Sequence, residues 1–251
     1  MDLLLYIIMP VYGLIVGSFI GVCIGRVPAG EDIIRAPSRC PDCGRRLTPF
    51  ELIPVFSWLA LRGKCRGCGV RISPRYPLIE LANGLLWLLC ARCFATLPAI
   101  ITAALALSLL LAVAVTDGQT GRIPDGYCIA LAVLAAANLF VTRAPFDALP
   151  GAVVLSLPLF AVYQISGGRA IGGGDIKFLA ATGLLLGWKL ILLAFAIACV
   201  IATAIHGVRV LKQNASHKLR LGPYMAVGVA IAMFVGDRVV AWYVGLLTMY
   251  N

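Results

Sequence analysis

Two carboxylates and four thiols carry most of the reactive chemistry in this sequence. Asp175 closes the run Gly172-Gly173-Gly174-Asp175-Ile176-Lys177, with apolar segments on both sides, and Asp117 stands where another long apolar run stops. An ionisable side chain at the edge of a membrane span is costly and marks a functional site by default. Two carboxyl groups brought to one site repel, so one ionises while the other keeps its proton. Such a pair suits hydrolysis: the carboxylate activates a water and the carboxylic acid polarises the carbonyl under attack. Gly172 and Gly174 would allow close backbone approach and leave room for an extended substrate. Lys177 either pairs with a carboxylate or follows the charge bias of a cytoplasmic loop. Asp125 is an alternative to Asp117, although its place just before an apolar run also suits a helix N-cap. The triple glycine makes a poor phosphate loop, because no Ser or Thr follows Lys177.

The thiols form two C-x2-C knuckles, Cys40-Pro41-Asp42-Cys43 and Cys65-Arg66-Gly67-Cys68, with 21 residues between them and a glycine, Gly44 or Gly69, after each. Four thiolates at this spacing can close a tetrahedral zinc site. The surrounding loop is too small and too basic to build its own core, so a metal would supply the missing folding energy. Flanking arginines would favour the thiolate form. A redox dithiol pair and inert thiols are the alternatives. Cys90 and Cys93 repeat the spacing at an apolar helix end, where packing is the expectation. Cys23, Cys128 and Cys199 stand alone in apolar runs and behave as small hydrophobes.

The elements that must position these groups are membrane helices. Of 251 residues, 61% are hydrophobic and the mean hydropathy is +0.96, whereas soluble domains run nearer 45–50% apolar. The excess lies in separated blocks of roughly 15–25 residues, which fits bilayer-spanning helices. The expected fold is an all-α polytopic membrane protein with about eight transmembrane segments and one cytoplasmic zinc-binding loop. The segments fall at 3–25, 78–96, 99–116, 126–141, 149–165, 178–188, 190–208 and 224–250, with a tight outer turn at Leu97-Pro98. The segment 178–188 is short for a crossing, so it is extended by the preceding loop, thins the bilayer or is a broken helix. The first run is preceded by Asp2 and followed by basic residues, as in a retained span rather than a cleaved signal.

The division is then 1–25, a first span; 26–77, a cytoplasmic tetracysteine loop; and 78–251, a helical membrane domain with both aspartates at its cytoplasmic face. Charge supports this orientation. Of 21 Lys and Arg residues, ten lie between Arg26 and Arg75, and seven more (Arg122, Arg169, Lys177, Arg209, Lys212, Lys218 and Arg220) lie on other inner loops. Only Arg92, Arg143, Lys189 and Arg238 fall outside, as the positive-inside rule requires. The net charge of +10 thus has a topological cause, and anionic lipid headgroups are a sufficient partner for it; nucleic acid is not needed. His217 and the sequon-like Asn214-Ala215-Ser216 fall in a basic inner loop.

Six stretches in order resemble the bacterial type IV prepilin peptidases, the leader peptidase/N-methyltransferases among the G-x-G-D membrane aspartyl proteases. They are Gly17-Ser18-Phe19 with Arg26-Val27-Pro28; the tetracysteine loop; Ile72 to Glu80; Asp117 to Pro124; Gly172 to Lys177; and Gly222-Pro223-Tyr224. The resemblance implies a helical enzyme of the bacterial inner membrane, N-terminus outside, with Asp117 and Asp175 as the catalytic pair. It implies cleavage of prepilins or pseudopilins of type IV pili or type II secretion after a glycine at the cytoplasmic face. It further implies methylation of the new N-terminus from S-adenosylmethionine, associated with the cysteine loop. Gly21 stands where the family usually has Asn, so a peptidase without methylation is the first alternative. A small transporter with a zinc-bound regulatory loop is a more distant one, and the nearly charge-free spans and absence of an internal repeat speak against it.

Overall fold

The computed structural model describes residues 3–142, 145–211 and 220–249. Asp2, Arg143, Lys212, Lys218, His217, the sequon and Tyr250 lie outside these residues. Among the described residues the chain is all-helical: α1 (Leu3–Arg26), a 3-10 turn (Pro49–Leu52), α2 (Phe56–Ala60), α3 (Arg75–Cys93), α4 (Leu97–Thr120), α5 (Asp125–Thr142), α6 (Pro145–Val154), α7 (Ser156–Ser166), α8 (Gly173–Leu186), α9 (Trp188–Leu211) and α10 (Gly222–Met249). Five stretches are long and apolar enough to cross a membrane: Leu3–Arg26, Leu97–Thr120, Phe146–Ser166, Trp188–Val208 and Gly222–Leu246. They mark a multi-pass membrane protein. The apolar part of α5 is shorter, and α3 and α8 occupy the remaining two expected segments.

Several boundaries move for physical reasons. The turn between α3 and α4 falls at Phe94–Thr96, and Leu97-Pro98 opens α4 instead, as suits a proline whose missing N–H is harmless in a first turn. The segment expected at 149–165 is the pair α6 and α7, broken at Leu155. Pro158 cannot donate to the carbonyl of Val154 and its ring crowds that oxygen. The short segment at 178–188 gains its length from the glycine loop: α8 starts at Gly173 and ends before Gly187, whose φ is +82°. At 14 residues it is still only about 21 Å long. Asp237 and Arg238 do not interrupt α10.

The chain forms two compact units, one up to Ser108 and one from Leu109 on. In the first, α1 and α3 run antiparallel. Gly13 lies so close to Trp87 that an added Cβ would sit 2.8 Å from its Cβ. Small residues permit such approach where lipid supplies no hydrophobic drive between helices. Polar links add to it: Asn83 Nδ2 donates to the Gly13 carbonyl at 2.7 Å, and Trp87 Nε1 donates to Ser108 Oγ at 2.9 Å. At the end of α1 the Arg26 guanidinium donates to the carbonyls of Asp32, Ala36 and Pro37, which folds the loop back on the helix end.

In the second unit α8 is central and packs on α5, α6, α7 and α9, while α9 packs on α10. Phe178, Leu179, Leu131, Ile191, Met225 and Val229 form its fully buried core. Gly151 of α6 and Gly183 of α8 meet backbone to backbone, so that a methyl group on either would overlap the other's carbonyl.

Candidate active site and thiolate cluster

Both aspartates stand on helix ends rather than in loops. Asp117 lies in the last turn of α4, because that helix runs on to Thr120. Thr120 Oγ1 accepts the Arg122 N–H at 3.3 Å and donates to the Thr116 carbonyl at 2.9 Å. Gly121, at φ +68°, ends the helix with its N–H on the Asp117 carbonyl, a left-handed C-cap of the usual kind. Asp175 is the third residue of α8, after an N-cap at Gly172. Its carboxylate reaches back to the Gly172 N–H and so serves one of the orphan donors of a helix start.

The Asp117 side chain is buried, at 5% exposure, and its Oδ2 accepts the Gly222 N–H at 3.0 Å. A Cβ at position 222 would lie 2.6 Å from that oxygen, so only glycine admits this contact. Arg220 donates to the Gly118 carbonyl, and the segment that opens α10 is thereby pinned to the end of α4. Sequence reasoning reached Gly222 only as part of a motif. Its role as the partner of Asp117, 105 residues away, was not apparent.

Asp175 is half-buried and lies outside the five long apolar helices. Burial first, and then the nearby charge of Asp117, push its carboxyl up to about 6, against the lowering effect of the Gly172 N–H. The structure therefore brings Asp117 and Asp175 within electrostatic reach of each other. Gly174 fits against Ile123, where an added Cβ would meet Ile123 Cβ and O at 3.2 Å. This contact seats the start of α8 on the loop that follows α4. Lys177 turns away to an exposed ion pair with Asp125 at 2.8 Å. Asp125 is the first residue of α5, so this pair ties the start of α5 to α8.

The four knuckle cysteines converge, with all four sulfurs within 4.8 Å of one another and Cys40 and Cys68 at 3.8 Å. A tetrahedral metal with bonds of about 2.3 Å needs sulfurs about 3.8 Å apart, so the cluster could hold such an ion. The two knuckles repeat one backbone pattern. Cys40 N–H bonds the Arg45 carbonyl and Gly44 N–H returns to Cys40; Cys65 N–H bonds the Val70 carbonyl and Gly69 N–H returns to Cys65. Gly44 and Gly69 have φ of +68° and +73°, which explains the glycine after each pair. Backbone N–H groups of Cys68 and Gly67 hold the Cys65 thiol down at about 6, toward the metal-binding thiolate. Beside the cluster Arg45 pairs with Glu51. The Arg45 bond and the Thr48 N–H hold that carboxyl at about 2. Cys90 is fully buried and Cys93 exposed, in keeping with packing.

Two family models match the chain: the bacterial peptidase A24 N-terminal domain over residues 11–94 and the type IV leader peptidase family over residues 104–207. Among similar proteins, a prepilin leader peptidase/N-methyltransferase of Bacillus subtilis is 37% identical over 93% of this chain and 96% of its own length. One of Stutzerimonas stutzeri is 34% identical over 93% of this chain and 91% of its own length. One of Myxococcus xanthus is 42% identical over 72% of this chain, a match that spans 56% of the relative's length. No solved structure gives a significant match. With relatives matched nearly end to end and both family models in sequence order, the chain belongs to the type IV leader peptidase family.

Proposed function

We propose that this protein is a membrane aspartyl endopeptidase that removes the leader of prepilins or pseudopilins and then methylates the new N-terminus. The observation that carries the hydrolytic half is the pairing of Asp117 and Asp175 at neighbouring helix ends, one buried on a backbone N–H and the other raised by burial and by its partner. Asp117, held by Gly222, is assigned as the carboxylate that activates water. Asp175, which keeps its proton more readily, is assigned as the acid that polarises the scissile carbonyl. Gly172 lets the Asp175 carboxylate fold back on it, and Gly174 seats the start of α8 on Ile123. Lys177 supports the site through its ion pair with Asp125.

The topology that fits is eight crossings of the bacterial inner membrane, with the N-terminus outside and the acids at the cytoplasmic boundary. A leader in the cytoplasm and an apolar substrate helix in lipid then meet at the site. Zinc on Cys40, Cys43, Cys65 and Cys68 would supply structure rather than chemistry, by crosslinking two turns of a loop with little core. S-adenosylmethionine is the methyl donor substrate.

The test is processing of a purified prepilin by reconstituted protein. Asp117→Ala and Asp175→Ala should each abolish cleavage while the protein remains folded in the membrane. Cleavage retained by either variant removes the pair from the mechanism. Mass spectrometry of the wild-type product should show one added methyl group only when the donor is supplied.

A further inference from the structure

The loop between α1 and α3 carries an apolar ridge that neither the thiolate cluster nor the hydrolytic site uses. Phe50 is 80% exposed, Phe56 68% and Leu59 58%, with Ile53 also exposed between them. At its centre Val55 has φ +63° and ψ −53°, and Phe56 N–H bonds the Pro54 carbonyl at 2.6 Å. This is the strained γ-turn of positive φ, at a β-branched residue that disfavours it. Strain of this kind persists only where the surroundings impose it. Here the imposing group is Glu80, a buried carboxylate of α3 that accepts the Val55 N–H at 2.7 Å and is also bonded by Ser18 of α1.

That anchor sets a depth. Glu80 lies five residues into α3, beyond Leu78, and level with Ser18 of α1. Leu78 and Leu81 of α3 and Phe19 of α1, a helix long and apolar enough to cross a membrane, are exposed apolar side chains around it. Val55 is therefore held beside an exposed apolar flank shared by α1 and α3, and the ridge flanks it. Exposed Arg62, Lys64 and Arg66 follow at once, in a segment (26–77) with ten basic and four acidic residues. Aromatic and aliphatic side chains beside a cationic fringe match an anionic bilayer interface.

We propose that Pro49–Ala60 is an in-plane membrane anchor: Phe50, Ile53, Phe56 and Leu59 enter the acyl boundary of a leaflet rich in anionic headgroups, and Glu80 fixes the segment at that depth. The proposal rests on α1 and α3 being membrane helices and is independent of the catalytic pair. The test places p-benzoylphenylalanine singly at Phe50, Phe56 and, as an exposed control, Asp42, in full-length protein in nanodiscs of phosphatidylethanolamine and phosphatidylglycerol. Irradiation should give phospholipid adducts at 50 and 56, unchanged by saturating prepilin, and none at 42. Adducts to prepilin in place of lipid would make the ridge a substrate-docking face and overturn the proposal. Adducts to neither, or equal lipid adduct at 42, would overturn it as well. Prepilin cleavage by the same variants is followed in parallel. Its absence in wild-type protein and in variants that still give the lipid adducts would count against the peptidase reading alone.

Discussion

In the thiolate cluster each pair of ligands is placed by its own short turn, closed by two backbone bonds and a positive-φ glycine. In the carboxylate pair only Asp175 has a local contact, at its N-cap. Asp117 takes its orientation from Gly222, 105 residues on, and Asp175 from the N-cap Gly172 and from the fit of Gly174 on Ile123. The first region needs only a crosslink between two self-sufficient turns. The second needs α4, α5, α8 and the start of α10 to be correct together. Damage should therefore stay local in one and spread in the other.

Beyond the two acids themselves, the largest expected effect is at Gly222. A methyl group there would displace Asp117, and a displacement of about 1 Å can cost roughly a hundredfold in rate. Gly222→Ala should lower prepilin cleavage by at least about that factor, measured by gel-based processing, with metal content unchanged. Loss of metal together with cleavage would mean that the two regions are not separable. Next is the converse experiment. Cys65→Ser, or a strong chelator, should reduce bound zinc from about one ion per chain to none and expose residues 26–77 to protease, while Asp175 titrates as before.

The pH dependence sharpens the contrast further. Asp175 is proposed to act protonated, and its carboxyl sits at about 6 in the folded protein. Cleavage should then fall as pH rises through that value, by about tenfold per unit well above it. Asp117→Asn removes the neighbouring charge but not the burial. Its Asp175 carboxyl band, followed by infrared titration, should move to lower pH yet remain above the ordinary carboxylate range. An unmoved band would break the pairing. The smallest effect is expected at the exposed Lys177–Asp125 ion pair. Lys177→Met should change cleavage by no more than about fivefold, as for exposed pairs generally; a larger loss would place Lys177 in the site.

The contrast also explains what could be read beforehand. Cys40, Cys43, Cys65, Cys68 and the following glycines announce their geometry through spacing, because the structure they make is local. The five long apolar helices were legible for the same reason, as was the shortness of α8, expected at 178–188. The break at Leu155 needed the effect of Pro158 on Val154 to be weighed, and the helical placement of both aspartates needed their caps at Gly121 and Gly172. The partner of Lys177, the contact of Gly222 with Asp117, and the tether from Glu80 to Val55 depend on packing between distant segments. Spacing along the chain carries no record of them.

The meeting of Gly151 and Gly183 has a consequence for where the substrate is cut. Glycine against glycine leaves no compressible side chain to take up axial play, so α8 has a single seat along its length. Asp175 stands eight residues from that seat, about 12 Å along the axis. A bilayer of different thickness must then pucker around the protein instead of sliding the acid up or down the membrane normal. In the proposed peptidase the position of the cut, measured along the incoming chain, would thus be gauged by the enzyme's own frame and should not drift with lipid composition.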